Sequence, residues 1–297
     1  MSNVVTIHDL VVRYGKRTAV DRVSLSVPTS SVFALLGRNG AGKSSLVRCL
    51  LGEQKPEGGR VELFGENVWS RRAALMDRIG VVSEDGDAPP EMRVRQIAAF
   101  SQRLYSRWDQ STVDARLQRF GIDPQARFGE LSKGQKKHVA LAMALASAPE
   151  LLVLDDPTLG LDVVARKAFF EELIGELADR GITVILTTHD LAGVEAIADR
   201  VAILKDGRVA LDEELETIKS RFRRIRFPSR MPAFDSTLAP AVIRSWGTGT
   251  EAIVANYDEV AFERFRNTTH VDHAEVSAMS LEEIFVAVAG ENEGGQA

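Results

Sequence analysis

The chain is 297 residues long, 44% hydrophobic, carries a formal charge of −5 and has one cysteine. That is enough apolar material for one large domain with a smaller appendage, while the lone Cys49 excludes an internal disulfide and a cysteine-cluster metal site. The mild charge and scattered Lys and Arg point away from nucleic acid as a partner, and the longest apolar runs, Val139 to Ala146 and Leu151 to Leu154, fall far short of the roughly 20 residues that cross a bilayer. The opening MSNVVTIHDL has neither a basic leader nor an apolar signal core, so a cytoplasmic protein is expected.

In chain order, VVTIHDLVVRY and AVDRVSLSV, joined by a turn at GKR and closed by Pro28, read as strands of an antiparallel sheet. VFALLG is a continuous apolar run of buried-strand type, followed by a glycine-rich loop and the helical SSLVRCLLG, in which Cys49 reads as a small buried apolar residue. Residues 91–148 are rich in Ala, Arg, Gln and Leu, with near-helical apolar spacing at Ile97, Phe100 and Leu104 and at Leu117 and Phe120, which predicts a helical insert. Trp108 within it is read as packing, with docking of a partner helix as the alternative. From Leu151 the order is strand LLVLD, helix VVARKAFFEELIGELADR, strand TVILTT, helix LAGVEAIADR and strand VAILK, which predicts a mostly parallel sheet covered by helices.

Beyond Ile218 the composition changes. RFRRIRFPSRMPAF is basic and proline-punctuated; the four arginines of RFRRIRF are read as a solvated strand face, with a membrane surface or a partner as the alternative. Strand EAIVAN, helix DEVAFERFR, a strand around HAEVSA and helix SLEEIFVAVAG follow, with GENEGGQA as a frayed tail. The expected division is a main domain over 1–217 and an accessory α+β domain over 218–297.

The segment Gly37-Arg38-Asn39-Gly40-Ala41-Gly42-Lys43-Ser44 fits G-x-x-x-x-G-K-[ST] between a strand and a helix. Its glycines let successive backbone N–H groups converge on phosphate oxygens, the helix N-terminus adds positive potential, Lys43 sets a charge on the terminal phosphates and Ser44 offers a hydroxyl to Mg²⁺. Kinases, GTPases and motor ATPases all use such a loop. The strand ending at Asp155, with Asp156 next, supplies carboxylates for the metal and for water. The chain has no NKxD string to read guanine, which argues against a GTPase.

Leu131-Ser132-Lys133-Gly134-Gln135, followed by KKHVALAMALA and then by the Asp155 strand, resembles the signature motif of ABC ATPases. Residues 4–212 then fall into that family's order. The resemblance implies a RecA-like P-loop NTPase core with an antiparallel β subdomain and a helical insert, an α/β fold carrying a small α+β C-terminal appendage. It implies that Tyr14 stacks on adenine, that the loop through Ser45 holds ATP, that Asp162 in Gly160-Leu161-Asp162 meets a partner subunit, and that His189 senses the γ-phosphate. It also implies a head-to-tail dimer, homodimeric or with a related subunit, in which Ser132, Lys133, Gly134 and Gln135 complete the partner's ATP site.

Three positions depart from that pattern. Lys133 replaces a glycine of the signature, Glu84, aligned through Ile79-Gly80, replaces a glutamine, and Asp156 replaces the catalytic glutamate, one methylene longer. Glu84 can still reach Mg²⁺ or its water but adds negative charge, and the shorter Asp156 is expected to slow turnover, since placement errors near 1 Å cost about a hundredfold. The C-terminal SLEEIFVAVAG loosely resembles the accessory tails of bacterial ABC-2 exporter ATPases. The implied protein is an ATPase at the inner face of the membrane that drives a separate transmembrane permease. The alternative from another class is a soluble ABC ATPase remodelling a macromolecular complex, which tandem cassettes or a long coiled-coil insert would favour, and the chain has neither. A small-molecule P-loop kinase would leave LSKGQ and His189 without a role.

Overall fold

A computed structural model describes residues 2–84, 88–228, 238, 240–246, 249–269 and 273–290. The chain divides into two compact units, 1–212 and 213–297, so the second begins five residues before the change in composition read from the sequence.

In the first unit, β1 (Asn3–Tyr14) and β2 (Arg17–Pro28) pair antiparallel, with Ile7 opposite Leu25 and Val12 opposite Val20. Their alternating apolar residues face the core. β3 (Val32–Gly37) is buried along its whole length and runs through the phosphate loop into α1 (Lys43–Leu50). β4 (Gly58–Leu63) and β5 (Glu66–Asn67) return to the first sheet, whose order is β2-β1-β4-β5, and α2 (Val68–Met76) leads to β6 (Ile79–Val82). The insert contributes α3 (Val94–Gln102), α4 (Gln110–Arg119) and α5 (Lys133–Ala146), and β7 (Leu151–Asp155), α6 (Val163–Arg180), β8 (Thr183–Thr187), α7 (Leu191–Ile197), β9 (Arg200–Lys205) and β10 (Arg208–Glu214) follow. The second sheet has the order β10-β9-β3-β8-β7-β6, and β9, β3, β8, β7 and β6 are parallel.

Parallel register decides where the chemistry sits. Thr187 pairs with both Leu35 and Asp155, so the carboxyl ends of β3, β7 and β8 lie side by side, the usual ligand edge of an open α/β sheet. Cys49 is fully buried in the core beneath, and burial pushes its thiol up to about 11, which keeps it unreactive.

The insert has its own core of Val94, Ile97, Ala98, Val113, Leu117, Ile122, Phe128, Leu131, Val139 and Met143, with Phe120 and Trp108 packed against it. Trp108 also donates from Nε1 to Gln110. Phe100 and Leu104, expected on the buried face, are instead 57% and 63% exposed. Phe100 lies about 120° around the helix from Val94, and Leu104 comes after α3 has ended. Likewise α7 stops at Ile197 rather than continuing to Arg200, because Ala198 is extended and Asp199 returns to β3, its carboxylate accepting from the Val32 N–H at 2.8 Å.

The second unit holds α8 (Leu215–Arg221), β11 (Arg223–Phe227), β12 (Pro240–Trp246), β13 (Gly249–Val254), α9 (Glu259–Thr269), β14 (Glu275–Ala278) and α10 (Leu281–Ala289). Its antiparallel sheet has the order β12-β13-β11-β14, and Ile225 and Phe227 pack with Phe262 and Phe265 of α9. The arginines of RFRRIRF do not form a solvated face. β11 is an interior strand, Arg224 pairs with Glu251 and Glu283, and Arg226 pairs with Glu251 at 3.0 Å. The proline-punctuated stretch after Pro228 and the tail 291–297 lie outside the described residues.

Candidate functional site

The phosphate loop takes its shape from backbone that only glycine adopts cheaply. Gly40 and Gly42 have φ of +81° and +110°, and a Cβ on Gly42 would lie 2.4 Å from the Ala19 carbonyl oxygen. Gly42 opens α1 with no side chain capping that end, which leaves the first amides of the helix for a ligand. Lys43 is buried and donates to the carbonyls of Gly37 at 2.7 Å and Arg38 at 3.4 Å. Burial draws its pKa below the usual lysine value, against the opposing pull of Asp156, Asp155 and Glu84. An ammonium is thus held on the loop's own carbonyls, among three carboxylates.

At the end of β7, Asp155 accepts a hydrogen bond from the Thr187 hydroxyl. Asp156 turns into the left-handed region at φ +45°, where a short polar side chain is tolerated, and its N–H donates to the Thr187 carbonyl at 2.9 Å. One oxygen of its buried carboxylate accepts from the Thr188 hydroxyl at 3.3 Å, and the other lies 3.5 Å from Nε2 of His189. His189 itself is 48% exposed. Tyr14 donates its hydroxyl to Gln54 at 2.5 Å, lies 3.3 Å from the Ser45 hydroxyl, and keeps nearly half of its surface exposed.

These groups meet around one cavity of about 690 Å³. Of the residues singled out in the sequence, Tyr14, Asn39, Gly40, Gly42, Lys43, Ser44, Ser45, Glu84, Asp155, Asp156 and His189 line it, and Gly37, Arg38 and Ala41 complete the loop behind them. Arg17, Ala19, Leu159 and Thr187 also line it and were not expected. Arg17 opens β2, directly after the β1–β2 turn, and donates to the Gly40 carbonyl at 3.2 Å. No local signal marks it, because the contact joins residues 23 apart in the chain.

Ser132, Lys133, Gly134 and Gln135 do not line this cavity. They open α5 in a complete capping box: the Ser132 hydroxyl accepts from the Gln135 N–H at 3.2 Å, and the Gln135 side chain accepts from the Ser132 N–H at 3.0 Å. The Lys133 side chain lies over Gly160 and Gly134 approaches Leu161, so this end of the helix rests on the loop after Asp156. Asp162 caps α6 by accepting from the Ala165 N–H at 2.8 Å.

A parallel sheet with a phosphate loop after one strand, a carboxylate pair after a neighbour and a histidine after the strand between them defines a P-loop nucleoside triphosphatase. Residues 20–159 match the family described as ABC transporter. The chain is 32% identical over 227 residues to the bacitracin transport ATP-binding protein BcrA of Bacillus licheniformis, a match covering 75% of this chain and 74% of that protein. It is 38% identical over 201 residues to the Nod factor export ATP-binding protein I of Burkholderia orbicola, where the match spans 66% of each, just under two thirds of that relative. Among solved structures, the ATP-binding subunit of an ABC transporter superposes with a TM-score of 0.67 at 26% identity, covering 73% of this chain and 92% of that one. The cbiO1 protein of Clostridium perfringens, part of an ABC transporter complex, gives 0.65 at 29% identity, covering 74% and 92%. The chain belongs to the ABC transporter family, among its ATP-binding proteins, which are ATPases coupled to transport.

Proposed function

We propose that this chain is the ATP-hydrolysing subunit of an exporter whose membrane-spanning part is a separate polypeptide. One observation carries the reading: the uncapped phosphate loop, the Asp155–Asp156 pair and His189 converge on a single cavity, while the Ser132–Gln135 turn lies outside it. A relative named for bacitracin transport supports the transport role, and one named for Nod factor export supports its direction. No helix among the described residues is long and apolar enough to cross a membrane, in keeping with a separate permease.

In this reading the α1 amides and the Lys43 ammonium take the terminal phosphates, Lys43 exchanging the carbonyls of Gly37 and Arg38 for phosphate oxygens. The exposed ring of Tyr14 stacks on the base. The donor set suits Mg²⁺: Ser44 and Asp155 offer hard oxygens, and among the described residues no group of three His, Cys, Asp or Glu could bind an ion unaided, so nucleotide oxygens and water complete the shell. When bound, the ion screens the phosphate charge. Asp156 orients the attacking water and receives its proton, with the carboxylate steadied by Thr188, while His189 beside it contacts the γ-phosphate and registers its loss. Glu84, which lines the same cavity, would offer a further carboxylate to the ion or its water.

Ser132, Lys133, Gly134 and Gln135 complete the site of a partner ATPase, and Asp162 lies at that junction, so ATP closes a head-to-tail dimer and hydrolysis reopens it. The permease rides on this motion at the inner face of the membrane. Analytical ultracentrifugation of Asp156→Asn with Mg-ATP tests the reading. A nucleotide-dependent dimer is expected, and a species that stays monomeric at high protein concentration overturns it.

A further inference from the structure

The first turns of α5 carry an ammonium that helix formation does not explain. Positive charge near a helix N-terminus opposes the helix dipole, and a buried lysine is costly unless its protons are bonded. Lys137 is only 5% exposed, and its Nζ donates to two successive backbone carbonyls, Ser83 at 2.9 Å and Glu84 at 2.6 Å. Those residues follow β6, whose last residue, Val82, pairs with Leu154 just before Asp155. The Glu84 side chain is exposed and lines the cavity, and its charge acts on Lys43. Surface packing therefore does little to fix this carboxylate, whereas its backbone is held by two charge-assisted bonds from a buried side chain.

We propose that Lys137 is a positioning residue for ATP hydrolysis. It sets Glu84 at the cavity and ties that position to α5, so a movement of the helix that carries Ser132–Gln135 is felt by Glu84 in the same chain. The inference rests on reading the cavity as the ATP site and Glu84 as part of it. Loss of Lys137 then disturbs the transition state more than nucleotide capture, because Lys43 and the α1 amides stay in place.

Steady-state ATPase kinetics on Lys137→Met, Lys137→Arg, Glu84→Ala and the Lys137→Met/Glu84→Ala double variant test it, with thermal melting as the check on folding. Lys137→Met keeps the aliphatic stem and removes the donors. It is expected to lower kcat about 10- to 100-fold, the scale of a small misplacement at a reacting centre, with KM within about twofold. Lys137→Arg, which keeps the donors, recovers most of the rate, and the double variant is no slower than Glu84→Ala alone. A wild-type kcat in Lys137→Met, or losses that multiply in the double variant, overturns the proposal while leaving Glu84 its role. A wild-type kcat in Glu84→Ala removes Glu84 from the reaction and the proposal with it, but leaves the cavity reading standing on Lys43. Should Lys137→Met fail to fold, Lys137→Gln is read by the same criteria.

Discussion

The first unit contains two helix N-termini of the kind that binds anions, and the fold treats them in opposite ways. At α1 no side chain caps the helix, the preceding loop holds left-handed glycines, and the end opens on the 690 Å³ cavity. At α5 the cap is complete, with Ser132 and Gln135 each accepting from the other's backbone N–H, and the end lies outside that cavity. An uncapped end sacrifices local helix stability and gains a binding surface. A capped end is stable alone and offers a partner mainly its polar rim. In the proposed reading, α1 and its surroundings capture the nucleotide and do the chemistry, while the capped end of α5 serves a partner's site.

The largest test of that assignment is Asp156→Asn. Asparagine also tolerates the left-handed backbone, so the change is chemical, and kcat is expected to fall by about 100-fold or more with nucleotide affinity retained. Full activity would remove Asp156 from the mechanism. Asp156→Glu sharpens the point: the cavity has room for the longer side chain, so kcat is expected to rise, while the left-handed backbone costs up to about 1 kcal/mol in a melting experiment.

Next in size is a pair of variants that should differ in kind. Lys43→Ala removes one charged donor from the cradle and is expected to weaken nucleotide binding about 10- to 100-fold, measured by titration with a fluorescent analogue. Ser132→Arg should leave that titration within about twofold and abolish turnover. If Ser132→Arg loses as much affinity as Lys43→Ala, the two helix ends belong to one site and the contrast fails. The smallest effect is Ser132→Ala, which breaks the capping box and should cost about 1 kcal/mol of stability, whereas no side-chain cap exists at α1 to be lost.

Much of this was readable from local pattern. The alternation in β1 and β2, the apolar runs of β3 and β7 and the glycine spacing of the phosphate loop are written over a few neighbouring residues, and α6 occupies the segment expected of it. Periodicity failed where an element ended early or an apolar residue strayed from the buried face. Phe100 and Leu104 are exposed, and α7 stops where Asp199 turns back to β3. Composition failed at RFRRIRF, where four arginines suggested a wet surface but the carboxylates paired with Arg224 and Arg226 of β11 lie on a neighbouring strand and on α10.

The sequence by itself determined the residue types that can bind phosphate, hold a metal and orient water, because those demands are met by short motifs whose backbone needs are local. Only the tertiary structure decided their company. Thr188 reaches Asp156 across 32 residues of chain, Arg17 meets Gly40 from a strand of another sheet, and Lys137 grips the loop of Glu84 more than 50 residues away. Such contacts follow from parallel register and helix packing, which arise from burial summed over the whole core and leave no mark on any single stretch of sequence.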